Sequence, residues 1–505
     1  MRYILLFFFI IQFTFAQGNL IWQKSSNELP ANGYSWSTPL IMDHKLFWAG
    51  QDKAFAALDE ATGDILWVDS VNFRNGTYDS PVGFEGKVFI SRDSWSDPAN
   101  KGLLALAAET GAIIWQKQNV TVSNRSSKPI DIVSKTIFVA CTDTLYCLAI
   151  DDGTVVWSKA GKYSNLLIDY NGTKLFASRK DSAMIEVLSL GDGQQSWRLD
   201  LPDEKNSITG MAYTNYQSKE YLVLTPDWNW NVDTQYVYAI DVIAQNILWR
   251  SDLIGHTGNG VGPAIMGDKV FAGTQKTSSD TSQNIVAFNL LNGNIIWEKP
   301  ARRSGLTNTP YVIALDGKVY YENTLNNDYS IVCADAETGN EIWTGKPDGE
   351  FEWWPISWGS PVLYDNKLFM PTDGDGIYCY NTGEVDGSWL MVSGNVYATN
   401  SYLPELVTNV KKVENAIPIS YMLEQNYPNP FNPATTISFS IPEEGFVKLN
   451  IYNSIGQKIT TLINENLQAG SYKTDFNAAN HASGIYFYTL EVNGYSTSKK
   501  MILLK

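Results

Sequence analysis

Three histidines, four cysteines and one run of alternating oxygen side chains are where this sequence could hold a metal or a nucleophile. His44, His256 and His481 are scattered through the chain and supply neither a zinc set nor a catalytic triad. Asp227, Asn229, Asn231 and Asp233 alternate like the opening of a calcium loop. The position that needs glycine is Val232, however, and the twelfth position, which needs glutamate, is Tyr238. A polar loop tip fits those residues better, so no metal is expected. A different chemistry suits Trp36, Trp95, Trp228, Trp230, Trp353, Trp354 and Trp358, together with Tyr78. Exposed aromatics flanked by Asp and Asn can stack on sugar rings or on a flat partner surface, although several could equally cap a central channel.

The elements that must position those aromatics form a repeat. Its copies are Phe55–Trp67, Leu103–Trp115, Leu145–Trp157, Ile185–Trp197, Val237–Trp249, Ile285–Trp297, Ile331–Trp343 and a decayed Ile377–Trp389. The closing tryptophans recur every 40 to 52 residues, which suits a four-stranded propeller blade. Ten residues before each Trp stands a small side chain: Ala57, Ala105, Cys147, Val187, Ala239, Ala287, Cys333 or Cys379. We expect packing between neighbouring blades to select against bulk there. Gly63, Gly111, Gly153, Gly193, Gly293 and Gly339 supply the positive φ of a hairpin turn four residues before the Trp. The Trp should then lie on the outer strand and seal the seam between blades. Prolines 39, 81, 129, 263, 310 and 361 open the preceding strand pairs.

Leu20–Lys24 closely matches Ile113–Lys117, giving a ninth outer strand for eight inner units. The economical ring is closed by that first strand, with Trp22 displacing the Trp389 segment from the eighth blade. The structural Trp set is therefore Trp22, Trp67, Trp115, Trp157, Trp197, Trp249, Trp297 and Trp343. Seven blades is the alternative, should the weak fourth unit prove irregular. Cys147, Cys333 and Cys379 fall on the same position of three blades, farther apart than the ~7 Å a disulfide tolerates. Cys141 shares a hairpin with Cys147, but diagonally. Buried free thiols are expected.

Length and composition bound the rest. The 505 residues allow two to four domains, and 37 Lys plus Arg against 53 Asp plus Glu give a net charge of −16. Such a chain is a poor partner for polyanionic nucleic acid. With 17 Trp, 27 Tyr and only 18% charged residues, it reads as β-rich rather than as a coiled coil. Arg2, the apolar run Ile4–Ile11 and the small residues at Thr14 and Ala16 read as a secretory signal peptide cut before Gln17. No Cys follows Ala16, so lipid attachment is not indicated. The expected domains are a signal peptide at 1–16, a propeller at 17–392, a linker at 393–418 and a small β-sandwich at 419–505.

The pattern A-x-D-x-x-T-G-x-x-x-W resembles the pyrroloquinoline-quinone-like propeller family over about residues 20–390. The resemblance implies an all-β propeller, which the repeat count makes eight-bladed, and its motif residues are structural. The segment LEQNYPNPFNPATTISFSIPEEGFVKLNIYNSIGQKI, followed by AGSYKTDFNA, SGIYFYTLEVNG and KKMILLK, looks like the type A sorting domain of type IX secretion substrates. That implies a small Ig-like sandwich, a Bacteroidota-type bacterium, export through the periplasm and passage through the type IX translocon. It also implies removal of the domain by a surface sortase, with release or attachment to surface lipopolysaccharide.

Two functions follow as expectations. The first is a non-catalytic, secreted or cell-surface binding or scaffold protein whose propeller face takes a glycan or protein ligand, with no cofactor. The second is a quinone-dependent alcohol or sugar dehydrogenase, as the resemblance permits. Those enzymes use a vicinal Cys pair over the cofactor and a Glu/Asn/Asp calcium cluster; this sequence has no adjacent cysteines. A third reading, an outer-membrane assembly lipoprotein on the same propeller, lacks the lipid-bearing Cys.

Overall fold

Each repeat unit folds as the outer half of a four-stranded antiparallel sheet, and the preceding strand pair supplies the inner half. In the computed structural model the described residues run from 17 to 385 and from 421 to 504. Outside them within those spans lie 26–27, 30–36, 51–53, 74–78, 93–100, 119, 121, 123–126, 170–171, 202–207, 218, 227–235, 252–261, 275–281, 304–310, 324, 326–329, 347–358, 373–375, 384, 424, 427, 430, 433, 443–444, 455–456, 468–469, 479–482 and 494. The chain divides into two compact units, Met1–Leu403 and Pro404–Lys505. The expected signal peptide and linker lie outside the described residues, as do His256, His481, Trp389 and the Asp227–Asp233 run. Among the described residues, no helix is long and apolar enough to cross a membrane.

Among its described residues the first unit contains eight four-stranded sheets, seven of them built from strands consecutive in sequence. Sheet one is Leu40–Met42, Lys45–Ala49, Phe55–Asp59 and Ile65–Asp69. The fourth unit is complete: Tyr163–Ile168, Lys174–Arg179, Met184–Ser189 and Gln195–Asp200. Sheet eight joins Val362–Tyr364, Lys367–Pro371 and Ile377–Asn381 to Leu20–Lys24, so the first strand of the chain is the outer strand of the last sheet.

Register explains the small residue ten places before each Trp. Ala57 faces Trp67 on one side and Phe47 on the other. The same row recurs as Phe89–Ala105–Trp115, Phe138–Cys147–Trp157, Phe271–Ala287–Trp297, Tyr320–Cys333–Trp343 and Phe369–Cys379–Trp22. The two rings of each row meet over the small side chain, with centroids 5.7 to 6.0 Å apart. Bulk is excluded mainly by these cross-strand aromatics, within one blade. The ladder also slips by one residue beside every such Trp, leaving Leu66, Ile114, Val156, Ser196, Leu248, Ile296, Ile342 and Ile21 as bulges. A bulge twists the outer strand and spoils its free edge as a template for aggregation.

Between sheets, six of the eight Trp residues, Trp22, Trp67, Trp115, Trp157, Trp249 and Trp297, lie on the hairpin glycine of the next. A Cβ on Gly63, Gly111, Gly153, Gly193, Gly293 or Gly339 would stand 2.6 to 2.8 Å from the preceding sheet's indole. The glycines thus serve twice, taking φ between 67° and 75° and leaving room for the ring. The indole N–H then donates to the hairpin backbone: Trp67 to Ala108 O, Trp115 to Ile150 O, Trp157 to Leu190 O, Trp249 to Leu290 O and Trp297 to Ala336 O. Trp22 seats over Gly63 and donates to Glu60 O in the same way. Trp343 lies instead against Gly18, at the entrance to the N-terminal strand.

The second unit is a seven-stranded sandwich. One sheet holds Met422–Leu423, Ala434–Ile441 and Gly470–Asn477; the other holds Lys458–Leu467, Gly445–Asn453, Gly484–Val492 and Tyr495–Leu503. Val492 pairs with Tyr495 across the Asn-Gly turn, where Asn493 takes φ 46° as a primed turn requires. The entry segment is sewn to the last strand, with Phe431 N–H donating to Ile502 O and Leu504 N–H to Phe431 O. Buried Asn426 donates to Thr435 Oγ1 and Pro428 O, and Tyr488 Oη accepts from its N–H.

Candidate functional site

The antiparallel ladders fix which loops share a face. The start of each first strand lies beside the end of the second and the start of the third, as Leu40–Phe47 and Phe55–Ala49 show in sheet one. The connections between sheets and the loops between second and third strands therefore open on one mouth of the ring. Trp36, Tyr78, Trp95, Trp228, Trp230, Trp353, Trp354 and Trp358 belong to those connections, and all lie outside the described residues. The described residues at the entries of the first strands form the floor of this mouth.

That floor is a chain of hydrogen bonds from sheet to sheet at the entries of the first strands. Ser360 N–H donates to Thr38 Oγ1 at 2.8 Å, and Thr38 N–H donates to Ser80 Oγ at 2.9 Å. Lys128 Nζ donates to Ser80 O at 2.8 Å and to Asp79 Oδ1 at 2.6 Å. Ser127 bonds Asn165 and Leu166, and Ser164 Oγ donates to Ile208 O at 3.1 Å. Pro39, Pro81, Pro129, Pro263 and Pro361 each stand directly before a first strand, where a missing N–H costs no ladder bond.

Two groups of buried charges in the floor are matched with one another. Asp79 and Lys128 have side chains only 2% and 0% exposed, and Asp79 Oδ2 also accepts Ser91 N–H at 2.8 Å. A buried pair of this kind is stable only when its remaining hydrogen bonds are made, as they are here. In sheet four, Tyr163 Oη donates to Glu186 Oε2 at 2.9 Å, and Arg179 reaches Glu186 Oε1 at 3.3 Å. Burial pushes the Tyr163 hydroxyl well above its ordinary range, and the neighbouring Glu186 adds to that shift.

All four thiols are free and buried. Cys147, Cys333 and Cys379 sit in mid-strand beneath tryptophans of three separate sheets. Burial raises Cys147 to about 11 and Cys333 to about 12. Among the described residues, no three His, Cys, Asp or Glu side chains gather as metal ligands. No two cysteines are adjacent in the sequence, so a vicinal disulfide over a quinone has no residues to form it, and the buried carboxylate of Asp79 is paired with Lys128.

Sequence reasoning missed a second seam device on the opposite face. Lys45 reaches Glu109 at 2.8 Å, Lys87 reaches Asp151 at 2.9 Å, Lys269 reaches Glu337 at 2.7 Å and Lys367 reaches Glu60 at 3.2 Å, each crossing to the next sheet. Its signal was present as turn-plus-Lys tripeptides such as Asp43-His44-Lys45, Glu85-Gly86-Lys87 and Asp365-Asn366-Lys367, whose turn residues take positive φ.

The family model described as outer membrane protein assembly factor BamB matches residues 10–143, 99–229 and 233–385, most of the chain. The chain belongs to this BamB-type repeat family. The model described as secretion system C-terminal sorting domain matches residues 425–504, so the sandwich is a sorting domain. Among solved structures, BamB from Moraxella catarrhalis is similar at 15% identity and TM-score 0.52, covering 71% of this chain and 99% of its own. The quinohemoprotein alcohol dehydrogenase from Comamonas testosteroni is similar at 11% identity and TM-score 0.54, covering 72% of this chain and 76% of its own. A computationally designed protein, Ika8, aligns at 12% identity and TM-score 0.51, covering 72% and 99%. At such identities these structures share the BamB-type fold alone. A search of curated proteins gave no match.

Proposed function

We propose that this protein is a secreted or cell-surface, non-catalytic binding propeller, delivered by type IX secretion through its C-terminal domain. Residues 1–16 act as the signal peptide, 17–392 form the propeller, 393–418 the linker and 419–505 the sorting domain. The translocon and a surface sortase are its export partners, and the periplasm is its route. The ligand, a glycan or a protein surface, binds at the mouth through Trp36, Trp95, Trp228, Trp230, Trp353, Trp354 and Trp358. The observation that carries the non-catalytic reading is the Asp79–Lys128 pair, whose polar atoms are spent on each other, on Ser80 O and on Ser91 N–H. A carboxylate and a cation so paired support the loops above them and offer neither a free acid nor a free base to a substrate.

Two experiments test this. Deleting 419–505 should leave a folded propeller trapped in the periplasm; normal amounts at the cell surface would refute export by the sorting domain. Purified protein supplied with pyrroloquinoline quinone and calcium should show no dye-linked dehydrogenase activity. Turnover of alcohols or sugars would replace the binding reading with the enzyme reading.

A further inference from the structure

Sheet four buries a carboxylate at a position where its siblings carry none. Glu186 stands one residue before the small side chain of its row, where other sheets have Ala56, Leu104, Tyr146, Val286 and Val332. Its two oxygens hold one guanidinium in place. Oε2 accepts the Tyr163 hydroxyl at 2.9 Å, and Oε1 lies 3.3 Å from Arg179 Nη1. The guanidinium lies over the Tyr163 ring, 5.2 Å from its centre. A Cβ on Gly161 would stand 2.7 Å from Nη1, so that glycine leaves the space the guanidinium fills. The outer edge, Nε and Nη2, reaches the two oxygens of Asp181 at 3.3 Å each, and the Asp181 side chain is 46% exposed. The Arg179 guanidinium holds the Asp181 carboxyl below its ordinary range, so the pair stays charged. Tyr163 begins the first strand and pairs with Arg179, which ends the second, so the cluster opens on the mouth. There 161–162 join sheets three and four and 180–183 join the second and third strands, whereas 70–81, 251–263 and 346–361 join other sheets. The short turns leave Lys162, Lys180 and Asp181 exposed.

We propose that Asp181 and Arg179 are the polar contact for a glycan at the mouth, where they hold two adjacent hydroxyls of an uncharged sugar ring. The inference rests on reading the mouth as a binding face and names the ligand class of that face. The forked pair sets carboxylate lone pairs beside guanidinium N–H groups in one plane. Adjacent sugar hydroxyls both donate and accept, so they meet that array without breaking it. A carboxylate-bearing sugar would have to displace Asp181 from the fork, and a second carboxylate, Glu186, already stands at the guanidinium. Tyr163, Gly161 and Glu186 fix the arginine beforehand, which spares the cost of ordering it when the ligand arrives. An indole offers a face and one N–H and accepts nothing, so the mouth tryptophans supply stacking while this pair decides which sugar is taken. None of those tryptophans falls between residues 96 and 227, so the two kinds of contact come from different sheets.

The test uses the full mature protein and an array of uncharged and carboxylate-bearing oligosaccharides. Wild type should bind uncharged members and pass over the carboxylate-bearing ones. Asp181→Asn and Arg179→Lys should each weaken that binding about tenfold or more, as the loss of a charge-assisted hydrogen bond does. Asp181→Asn should leave the melting temperature nearly unchanged, since an exposed ion pair contributes little to stability, so its loss of binding is not unfolding. A variant with Trp228 and Trp230 replaced by Ala, on the same array, separates the two readings. Binding lost there but unchanged in both polar variants overturns this contact and leaves the mouth reading intact. Preference for carboxylate-bearing members overturns the ligand class, and no binding by wild type overturns the contact together with the glycan reading.

Discussion

Trp22 donates its indole N–H to the carbonyl of Glu60 at 3.1 Å, joining the first strand of the chain to the hairpin of sheet one. Glu60 also forms an ion pair with Lys367 of sheet eight at 3.2 Å, with His44 3.3 Å away. Three segments therefore converge on one residue at the point where the ring closes. Trp22→Ala should lower the melting temperature by more than Trp389→Ala, because truncating a packed Trp costs ~3–5 kcal/mol and a solvated one far less. Trp22→Phe should lose about 1 kcal/mol, the share of one hydrogen bond. Thermal unfolding of the three variants checks this; equal melting temperatures for the two alanine variants would contradict closure by the N-terminal strand.

The glycine seats can be separated from simple backbone strain. Gly153 and Gly86 both take φ 71°, but a Cβ on Gly153 would stand 2.6 Å from Trp115, and one on Gly86 would meet nothing within 4 Å. Gly86→Ala should cost about 1 kcal/mol, the conformational term alone. Gly153→Ala should cost roughly 1–3 kcal/mol more, because the indole must move. Chemical denaturation of the pair gives the difference directly.

Lys128→Met should destabilise the propeller by about 3–5 kcal/mol, since it leaves Asp79 buried without its cation. The companion Asp79→Asn, Lys128→Met double variant should recover part of that loss. Denaturation midpoints for the single and double variants decide it.

The thiols give a pH test. Burial holds Cys147 protonated up to about 11 and Cys333 up to about 12, so neither forms thiolate at pH 8 in the folded chain. Iodoacetamide should label them only after unfolding at pH 8. As the folded values are raised, their protonated form favours folding, and that contribution disappears as pH climbs through them. Mass spectrometry of native and unfolded samples reads the labelling.

The sequence carries this fold because each blade repeats its own instructions. Gly63, Ala57 and Trp67 recur in phase, and Leu20–Lys24 carries enough of the outer-strand pattern to show where the ring closes. The bulge at Leu66 was hidden because a constant ten-residue spacing does not reveal which residue slips out of register. The Asp79–Lys128 pair could not be read at all, as its members stand 49 residues apart in different sheets. The cluster around Arg179 was visible as Glu186 standing where other sheets place Ala56 or Leu104, but its partners needed the ladder that sets Tyr163 beside Arg179. The mouth tryptophans rest on sequence pattern, because they fall on connections whose course the repeat does not encode.

The binding face is tested most directly by replacing Trp228, Trp230, Trp353 and Trp354 together with Ala and probing a glycan array with purified 17–392. Stacked aromatics carry much of such an interface's energy, so the variant should lose the array signal of the wild type. Its melting temperature should stay nearly unchanged, because none of the four belongs to a seam. Undiminished array binding, or unfolding of the variant, would contradict the account.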